Sequence, residues 1–430
     1  MTVTALSRRP AKAPAMKILF AASLFVAALA ASAGAQEPVA PRLEAFAVLP
    51  ADETVRPPAD APAYFRRSGR FTAQGAARTE TLGAVPAAGG APALPMQGQP
   101  VQGISAILAN PDGSVWGLSD NGFGGRANSA DALLMVHRFR IDWESGDVRR
   151  VETIFLSDPD AIAPFPLVSE THARRYLTGR DFDPESIAPR AGGGFWIGDE
   201  FGPFLLEVDA RGRLLSVMPV RAAGQEVRSP DHWQGADGAV VGRSKGLEGM
   251  GHSADGRFLY PMLEGPVRDA QGAPETDEQG RTALRILEFD TVSRAFTGRE
   301  WLYPLADPNH AIGDITIVAP GEALVIERDS AQGEAAQFKR IVRITMPEEG
   351  GLVVPHESLD LLAIADPADL SRGRALNGVF RFPFVTIESV ARLDNGDLLI
   401  VNDNNYPFSA GRNPTRPDDT EWIRIRPAQP

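Results

Sequence analysis

Acidic side chains recur at the two ends of apolar strand pairs along this 430-residue chain. In "ESVARLDNGDLLIVNDNN", residues 388–405, apolar runs on either side of a glycine turn predict a hairpin that Glu388 opens and Asp403 closes. Further predicted pairs start with Asp183, Glu185, Glu248 and Asp314, and strands end with Asp120, Asp199, Glu200, Glu264, Glu327 and Asp329. Carboxylates that lie close together repel one another and raise some pKa values unless cations neutralise them. The pattern therefore indicates a cation site, provided that the strands bring these residues together.

The chain offers oxygen ligands for a metal and little else. It has no Cys, and its six His residues are widely spaced without a zinc-binding pattern. Hard oxygen ligands favour calcium over zinc. We therefore predict at least one divalent metal, with calcium favoured, and the predicted ligands are Asp183, Glu185, Asp199, Glu200, Glu248, Glu264, Asp314, Glu327, Asp329, Glu388 and Asp403. The alternative for some of these acids is that they cap turns or pair with neighbouring bases.

An acidic site that binds a cation could catalyse hydrolysis only if neighbouring groups transfer protons and bind an anion. The candidate catalytic residues are Glu185, Glu248, Glu388 and Asp199 as acids or bases, and Lys245 and Arg180 as anion ligands. The nearby "GRSKG", Gly242–Gly246, fits the G-x-S-x-G pattern of a serine hydrolase, but a glycine-rich segment follows it where that pattern requires a helix. We therefore expect Ser244 not to be a nucleophile.

The strand pair recurs five times, beginning near residues 103, 185, 248, 314 and 388. A further apolar pair follows four of the copies, so each unit has the four antiparallel strands of a propeller blade. The last copy lacks a fourth strand, which "LEAFAVLP", residues 43–50, could supply. We predict an all-β propeller closed by this N-terminal strand, with at least the five blades of the counted repeats and with six favoured, because residues 51–102 could hold a degenerate one. Two β-sandwiches with coincidental repetition are the alternative.

Propeller geometry gives the acidic ends a common location. The first strand of each blade lies beside the central channel and the second returns antiparallel to it. The start of the first strand and the end of the second therefore lie on one face. On this basis we expect the acids to meet at one mouth of the channel.

The N-terminus predicts export. Basic residues precede an apolar run from Ile18 to about Ala31, followed by "ASAGAQ", which is typical of a signal peptide over residues 1–35; a membrane anchor is the alternative. Its removal leaves 39 basic and 55 acidic residues, a formal charge of −16 that argues against nucleic acid as a partner. We expect a periplasmic or extracellular monomer without a membrane span, with an N-terminal segment over 36–102 and a propeller domain over 103–430.

Five stretches together resemble the phytase-like family, described as having esterase-like activity of phytase: "GRDFDPESIAP", "GFWIGDEFGPFLLEVD", "KGLEGM", "ALVIERDS" and "ESVARLDNGDLLIVNDNN". The resemblance spans about Gly103 to Asn405 and implies a β-propeller whose acidic residues carry activity. Metal-dependent hydrolysis of a small phosphoester is the function we expect. A lactonase or carboxylic esterase on a metal-binding propeller, and a non-catalytic binding propeller, remain as alternatives.

Overall fold

The computed structural model describes residues 38–71 and 94–427. The predicted signal peptide, residues 1–35, lies outside the described residues, as does part of the segment in which a sixth blade was expected. The described chain is all-β apart from two short 3-10 helices, Ala63–Arg66 and Gly333–Ala335. None of its helices is long and apolar enough to cross a membrane.

The strands fall into a short N-terminal group and a longer series. The first group is β1 (Arg42–Leu49), β2 (Thr54–Val55), β3 (Arg67–Ser68), β4 (Met96–Gln97) and β5 (Gln99–Pro100). Then come β6 (Ile104–Ala109), β7 (Ser114–Ser119), β8 (Met135–Asp142), β9 (Asp147–Phe155), β10 (Pro184–Pro189), β11 (Phe195–Asp199), β12 (Phe204–Val208), β13 (Leu214–Pro219), β14 (Arg221–Ala222) and β15 (Gln225–Glu226). The remainder are β16 (Leu247–His252), β17 (Phe258–Leu263), β18 (Ala283–Asp290), β19 (Ala295–Pro304), β20 (Ala311–Ala319), β21 (Glu322–Arg328), β22 (Lys339–Thr345), β23 (Gly351–Leu352), β24 (Val354–Asp360), β25 (Ile364–Ala365), β26 (Val379–Phe380), β27 (Ile387–Arg392), β28 (Leu398–Asn402) and β29 (Thr420–Arg426).

Five four-stranded antiparallel units follow one another along the chain. We number them 1 to 5, and in order from the inner strand outward they are β6-β7-β8-β9, β10-β11-β12-β13, β16-β17-β18-β19, β20-β21-β22-β24 and β27-β28-β29-β1. The inner strands contact one another in a closed cycle, β6 to β10, β10 to β16, β16 to β20, β20 to β27 and β27 to β6. The arrangement is β-propeller-like.

The expected sixth blade is absent from the described residues. Between β1 and β6 they form only two-stranded ladders, β2 with β5 and β3 with β4. The inner strand of unit 5 contacts that of unit 1 directly, which leaves no gap in the ring for another unit. The prediction of six blades was therefore wrong for the part of the chain that the structure describes.

The predicted closing strand is present in unit 5. β1 pairs antiparallel with β29, from Arg42 opposite Arg426 to Leu49 opposite Thr420. Its buried residues include Phe46, whose ring contacts Phe380 edge-on with centroids 5.7 Å apart. The N-terminal part of the chain thus completes the last unit and removes an open sheet edge.

Each inner strand has a register shift near its start. The shifts lie between Ile104 and Ala106, Pro184 and Ser186, Leu247 and Gly249, Ile312 and Asp314, and Ile387 and Ser389. Such a β-bulge leaves one residue unpaired and re-aims its side chain. The bulged residues are Ser105, Glu185, Glu248, Gly313 and Glu388.

Apolar side chains fill the space between neighbouring units. The rings of Trp116 and Phe195 join units 1 and 2 with centroids 5.3 Å apart, and those of Trp196 and Phe289 join units 2 and 3 at 5.5 Å. Interiors packed in this way resist deformation. The ring therefore holds the starts of its inner strands in fixed positions.

Candidate functional site

Two positions in every unit face the same end of the ring. One is the bulged residue of the inner strand. The other lies just beyond the paired part of the second strand. The residue before each bulge pairs across to the second strand, and its partners in units 1 to 5 are Ser119, Asp199, Leu263, Glu327 and Asn402. The second position is the next residue along the chain after each partner. From unit 1 to unit 5 the second position holds Asp120, Glu200, Glu264, Arg328 and Asp403. The predicted convergence of the strand ends is therefore what the topology produces.

Eight carboxylates gather at this end, and we call them the acidic ring. Its members are Asp120, Asp183, Glu185, Glu200, Glu248, Glu264, Glu388 and Asp403. All except the partly exposed Asp120 have less than a tenth of their surface accessible. Burial of so many like charges is costly without cations or protons.

Arg328 and Lys245 contact the acidic ring. The Nη2 atom of Arg328 lies 3.0 Å from Glu388 Oε1, 3.4 Å from Glu248 Oε1 and 3.6 Å from Glu264 Oε1. Lys245 Nζ donates a hydrogen bond to Glu264 Oε2. Arg328 is buried, whereas 40% of the Lys245 side chain is exposed. One base is thus embedded among the acids and the other stands at their border.

Two trios within the acidic ring have the spacing of metal ligands. One oxygen from each of Asp183, Glu185 and Glu200 lies within 4.8 Å of the others, and the same holds for Glu200, Glu248 and Glu264. Glu200 belongs to both trios. These clusters are compatible with a divalent metal that prefers oxygen ligands.

Burial raises the pKa values of several acids in the ring. It raises the pKa of Asp183 and Asp403 to about 6 and that of Glu388 to about 8. Burial, together with repulsion from neighbouring carboxylates, raises the pKa values of four further acids well above the ordinary range, namely Asp120, Glu185, Glu200 and Glu248. The protein alone therefore does not supply enough positive charge to keep all of these groups ionised at neutral pH.

One ring oxygen lacks the partner that burial normally requires. Glu200 is 5% exposed, and its Oε1 atom has no hydrogen-bond partner among the described residues. Buried polar atoms in native proteins are almost always hydrogen-bonded or ligated. An oxygen without a donor, on the residue that both trios share, fits a metal ligand.

Two predicted ligands instead bind backbone amides. Asp199 accepts hydrogen bonds from the amides of Asp183 at 2.8 Å and Gly202 at 2.7 Å. Asp314 accepts from Ile315 at 2.7 Å and from Val390 of the neighbouring unit at 2.9 Å. Asp314 lies one residue after the bulge, where the strand pleat turns its side chain away from the acidic ring.

Two further predicted ligands also bind other partners. Glu327 accepts hydrogen bonds from the Tyr303 hydroxyl at 2.6 Å and the Ala306 amide at 2.8 Å, and it pairs with His310. Asp329 accepts from the amides of Gln337 and Phe338 and pairs with Lys339 at 2.9 Å, which closes a loop. The residue between these acids, Arg328, is the one that reaches the acidic ring.

Of the predicted anion ligands, Lys245 borders the acidic ring and Arg180 lies in the loop before β10. The Arg180 carbonyl accepts a hydrogen bond from Arg126 Nε at 2.9 Å. Ser244 precedes a strand, β16, and no helix follows it, so the serine hydrolase motif is not formed. The sequence prediction omitted Asp120 from the ligand set, although it occupies the same position in unit 1 as Glu200 in unit 2.

The sequence is similar to a known family and to a secreted protein. A family model described as "Phytase-like: Esterase-like activity of phytase" matches residues 99–406. An uncharacterised secreted protein of Arthroderma benhamiae is 28% identical over 191 residues. That match covers 37% of this chain and 36% of the relative, so the chain spans about a third of the length of this curated relative.

Two solved structures are distantly similar. A GH43 β-1,3-galactosidase is 12% identical with a TM-score of 0.38, covering 76% of this chain and 91% of that chain. Regucalcin, a calcium-binding protein from Agrobacterium tumefaciens strain C58, is 12% identical with a TM-score of 0.35, covering 74% of this chain and 90% of that one. Structural similarity at this level does not indicate a shared function.

Proposed function

Because the chain belongs to the phytase-like family, whose match spans residues 99–406, we propose that it is an exported hydrolase that cleaves phosphate esters with a divalent metal. The acidic ring carries this proposal. Eight carboxylates from four of the five units face one end of the ring, and they leave a buried, unpartnered oxygen on Glu200. A purely structural network would leave no buried oxygen of this kind without a donor.

The donor set fits a hard divalent cation, and we propose calcium. Asp183, Glu185 and Glu200, or Glu200, Glu248 and Glu264, would hold it. When bound, such a cation polarises a phosphoryl oxygen and lowers the pKa of a water molecule. Asp199, Asp314, Glu327 and Asp329 leave the predicted ligand set, because backbone amides or other side chains already occupy their oxygens.

The remaining chemistry is assigned to side chains of this chain. Lys245, partly exposed beside Glu264, binds a phosphate oxygen of the ester, and Arg180 is retained as a second anion ligand. Arg328 orients Glu248 and Glu388 through its contacts at 3.4 and 3.0 Å. Above its pKa of about 8, Glu388, which belongs to neither trio, accepts the proton of the attacking water at the carboxylate oxygen that Arg328 does not bind. Asp199 has a positioning role, because it fixes the backbone at Asp183.

Export is proposed from the predicted signal peptide, and the similarity to a secreted protein supports it. The proposed substrate is a small molecule. A polyanionic ester would be repelled by a chain of this acidic composition unless a cation bridged the two. The metal therefore has a binding role as well as a chemical one.

The test combines metal content with turnover. The purified protein is expected to contain calcium and to hydrolyse phosphomonoesters, and a chelator should abolish this activity. Glu200→Gln should lower kcat/KM at least 100-fold, because it removes the carboxylate that the two trios share. The exposed Glu349→Gln serves as the control and should retain full activity. Phosphomonoester hydrolysis that a chelator leaves unchanged would contradict the proposal.

The same screen separates the alternatives. Lactones and carboxylic esters are assayed beside the phosphate esters, because an acidic metal site could serve either reaction. Turnover of lactones alone would identify a lactonase. Calcium binding without turnover of any of these substrates would favour a non-catalytic binding protein.

A further inference from the structure

The loop between β7 and β8 is fastened to the acidic ring by Asn121. Its Nδ2 atom donates a hydrogen bond to Asp183 Oδ1 at 2.8 Å, and its backbone amide donates to the same oxygen at 3.2 Å. Its Oδ1 atom accepts a hydrogen bond from the amide of Gly125 at 3.0 Å. Arg126 is the next residue along the chain. One buried side chain therefore fixes the position of Arg126 relative to a candidate metal ligand.

The guanidinium of Arg126 lies against the segments that carry two of the candidate ligands. Its Nε atom donates a hydrogen bond at 2.9 Å to the carbonyl of Arg180, three residues before Asp183. Its Cζ atom lies 5.7 Å from the centre of the Phe201 ring, which is within the range of a cation–π contact. Phe201 directly follows Glu200. Arg126 thus stands at the metal side of the acidic ring, where a substrate would approach a bound cation.

The hydrogen bonds of Arg126 leave its positive charge available. Its Nη1 atom donates to the carbonyl of Asp231, so both acceptors of the guanidinium are neutral main-chain oxygens. Among the described residues, no carboxylate forms an ion pair with Arg126, and its Nη2 atom donates no hydrogen bond. A guanidinium has five N–H donors and stays protonated in proteins. Arg126 is partly exposed, so donors and charge remain for a ligand.

The surroundings of this guanidinium favour an anion. Burial lowers the pKa of Arg126, Asp199 raises it, and the charge of Arg180 lowers it again. Asp199 already accepts hydrogen bonds from two backbone amides. An anion at Arg126 would relieve the repulsion between the two arginines. Hydrogen bonds from a guanidinium to phosphate are shorter and stronger than those between neutral groups.

From this geometry we propose that Arg126 binds the phosphate group of the substrate, beside the cation that Asp183 and Glu200 help to hold. The inference rests on the proposed function and adds a residue that determines the substrate class. A phosphate monoester carries a charge of about −1.5 to −2 at pH 7. The ester bond of a lactone or a carboxylic ester carries none. Arg126 therefore favours phosphate monoesters over uncharged esters.

Calorimetric titration of the full chain with inorganic phosphate, in a buffer that contains calcium chloride, measures this contact without turnover. Arg126→Gln should weaken phosphate binding at least about tenfold, because hydrogen bonds from a charged group are lost. Arg126→Lys should recover part of the affinity, since it keeps the charge without the planar array of donors. Equal phosphate affinity in the wild type and in Arg126→Gln would overturn the inference.

A second arginine provides a matched control. The guanidinium of Arg340 also stacks on an aromatic ring, with its Cζ atom 4.4 Å from the centre of Phe338, and Arg340 is likewise partly exposed. Arg340→Gln removes the same charge from the chain and should keep the phosphate affinity of the wild type. An equal loss in Arg340→Gln and Arg126→Gln would mean that only the overall charge matters, which would overturn the inference.

A structural role of Arg126 predicts a different result. Because its guanidinium joins two loops, its loss could displace the candidate metal ligands and weaken calcium binding, which equilibrium dialysis measures. The proposal predicts that Arg126→Gln binds calcium at least as tightly as the wild type, since a neighbouring positive charge is removed. A parallel loss of calcium and phosphate binding, in Arg126→Gln and Arg126→Lys alike, would overturn the inference.

These outcomes separate the inference from the proposed function. Phosphate binding that depends on Arg126 would support the inference even if no phosphate ester were hydrolysed. Phosphate esters hydrolysed with the same KM by the wild type and Arg126→Gln would overturn the inference alone. A wild-type chain that neither binds phosphate nor hydrolyses its esters would overturn both.

Discussion

At the residue scale, Arg328 determines how the acidic ring is balanced. Burial alone would lower the pKa of its guanidinium, but Glu388, Glu264 and Glu248 outweigh this effect and raise it. Arg328 therefore stays charged at any pH at which the protein is folded. The guanidinium is a permanent part of the chain, so its charge balances these carboxylates whether or not a cation is bound.

His137, which is not part of the acidic ring, leads to a prediction about how the free energy of unfolding depends on pH. Its side chain on β8 is buried; Nδ1 lies 3.0 Å from the Thr153 hydroxyl, and Nε2 has no partner among the described residues. Burial, with a smaller contribution from Arg150, lowers the pKa of His137 from 6.5 to about 3. Between these values the unfolded chain binds a proton that the folded chain does not. The contribution of His137 to stability should therefore fall as the pH drops below about 6.5, by at most about 1.4 kcal/mol per pH unit, whereas the raised pKa values of the buried ring acids act in the opposite direction.

Urea denaturation at pH 7, 6 and 5 measures this dependence. Relative to the wild type, the unfolding free energy of His137→Gln should fall less, or rise more, as the pH is lowered from 7 to 5, even if the variant is less stable at pH 7. The exposed His356→Gln should keep the wild-type slope. An unchanged slope in His137→Gln would show that the histidine is not the cause.

At the element scale, the register of each hairpin decides which acids meet. The apolar runs in the sequence predicted the strand pairs and their recurrence. The geometry of a propeller then predicted the face on which the acids lie. It did not predict the bulges, because an extra residue in a ladder leaves no signal in apolar periodicity. A shift of one residue reverses the face of every side chain. This explains why Glu200 and not Asp199, and Arg328 and not Glu327, reach the acidic ring.

At the same scale, the packing of the closing strand β1 leads to a prediction about the free energy of unfolding. Phe46 is 2% exposed and packs within unit 5, so Phe46→Ala should reduce the free energy of unfolding by about 3–5 kcal/mol through lost burial and a cavity. Arg42→Ala, at an exposed position of the same strand, should change it by less than about 0.5 kcal/mol. Denaturant titration followed by circular dichroism compares them. Equal stability of the two variants would mean that β1 contributes little to closure.

At the scale of the whole molecule, the acidic ring exists only when the units form a closed ring. Its carboxylates come from units 1, 2, 3 and 5, and Arg328 comes from unit 4. The sequence predicted an all-β closed ring because repetition and the missing fourth strand are visible in it. The blade number was overestimated, since residues 51–102 carry no feature that distinguishes short ladders from a degenerate blade.

Metal binding should therefore stabilise the entire ring. A ligand that binds only the folded chain stabilises it by about 2.7 kcal/mol at a free concentration of 100 Kd. We expect Tm to rise by a few degrees with calcium, in a concentration-dependent manner, and to return to its starting value when a chelator is added. Glu185→Gln should show a smaller rise at the same calcium concentration, measured by differential scanning calorimetry. A wild-type Tm that is insensitive to calcium would contradict the expectation.

Closure by β1 also has a consequence for the order of events during synthesis. The contact between Ala51 and Asp419, just beyond β1, spans 368 positions of the chain. At roughly 5–20 residues per second, a ribosome needs roughly 20–75 s to make that stretch, and during this time β1 has no β29 to pair with. An unpaired apolar strand is a template for pairing with other chains. Transport of the finished chain in an unfolded state would bring both strands together at one time, so the topology suits a protein that folds after export.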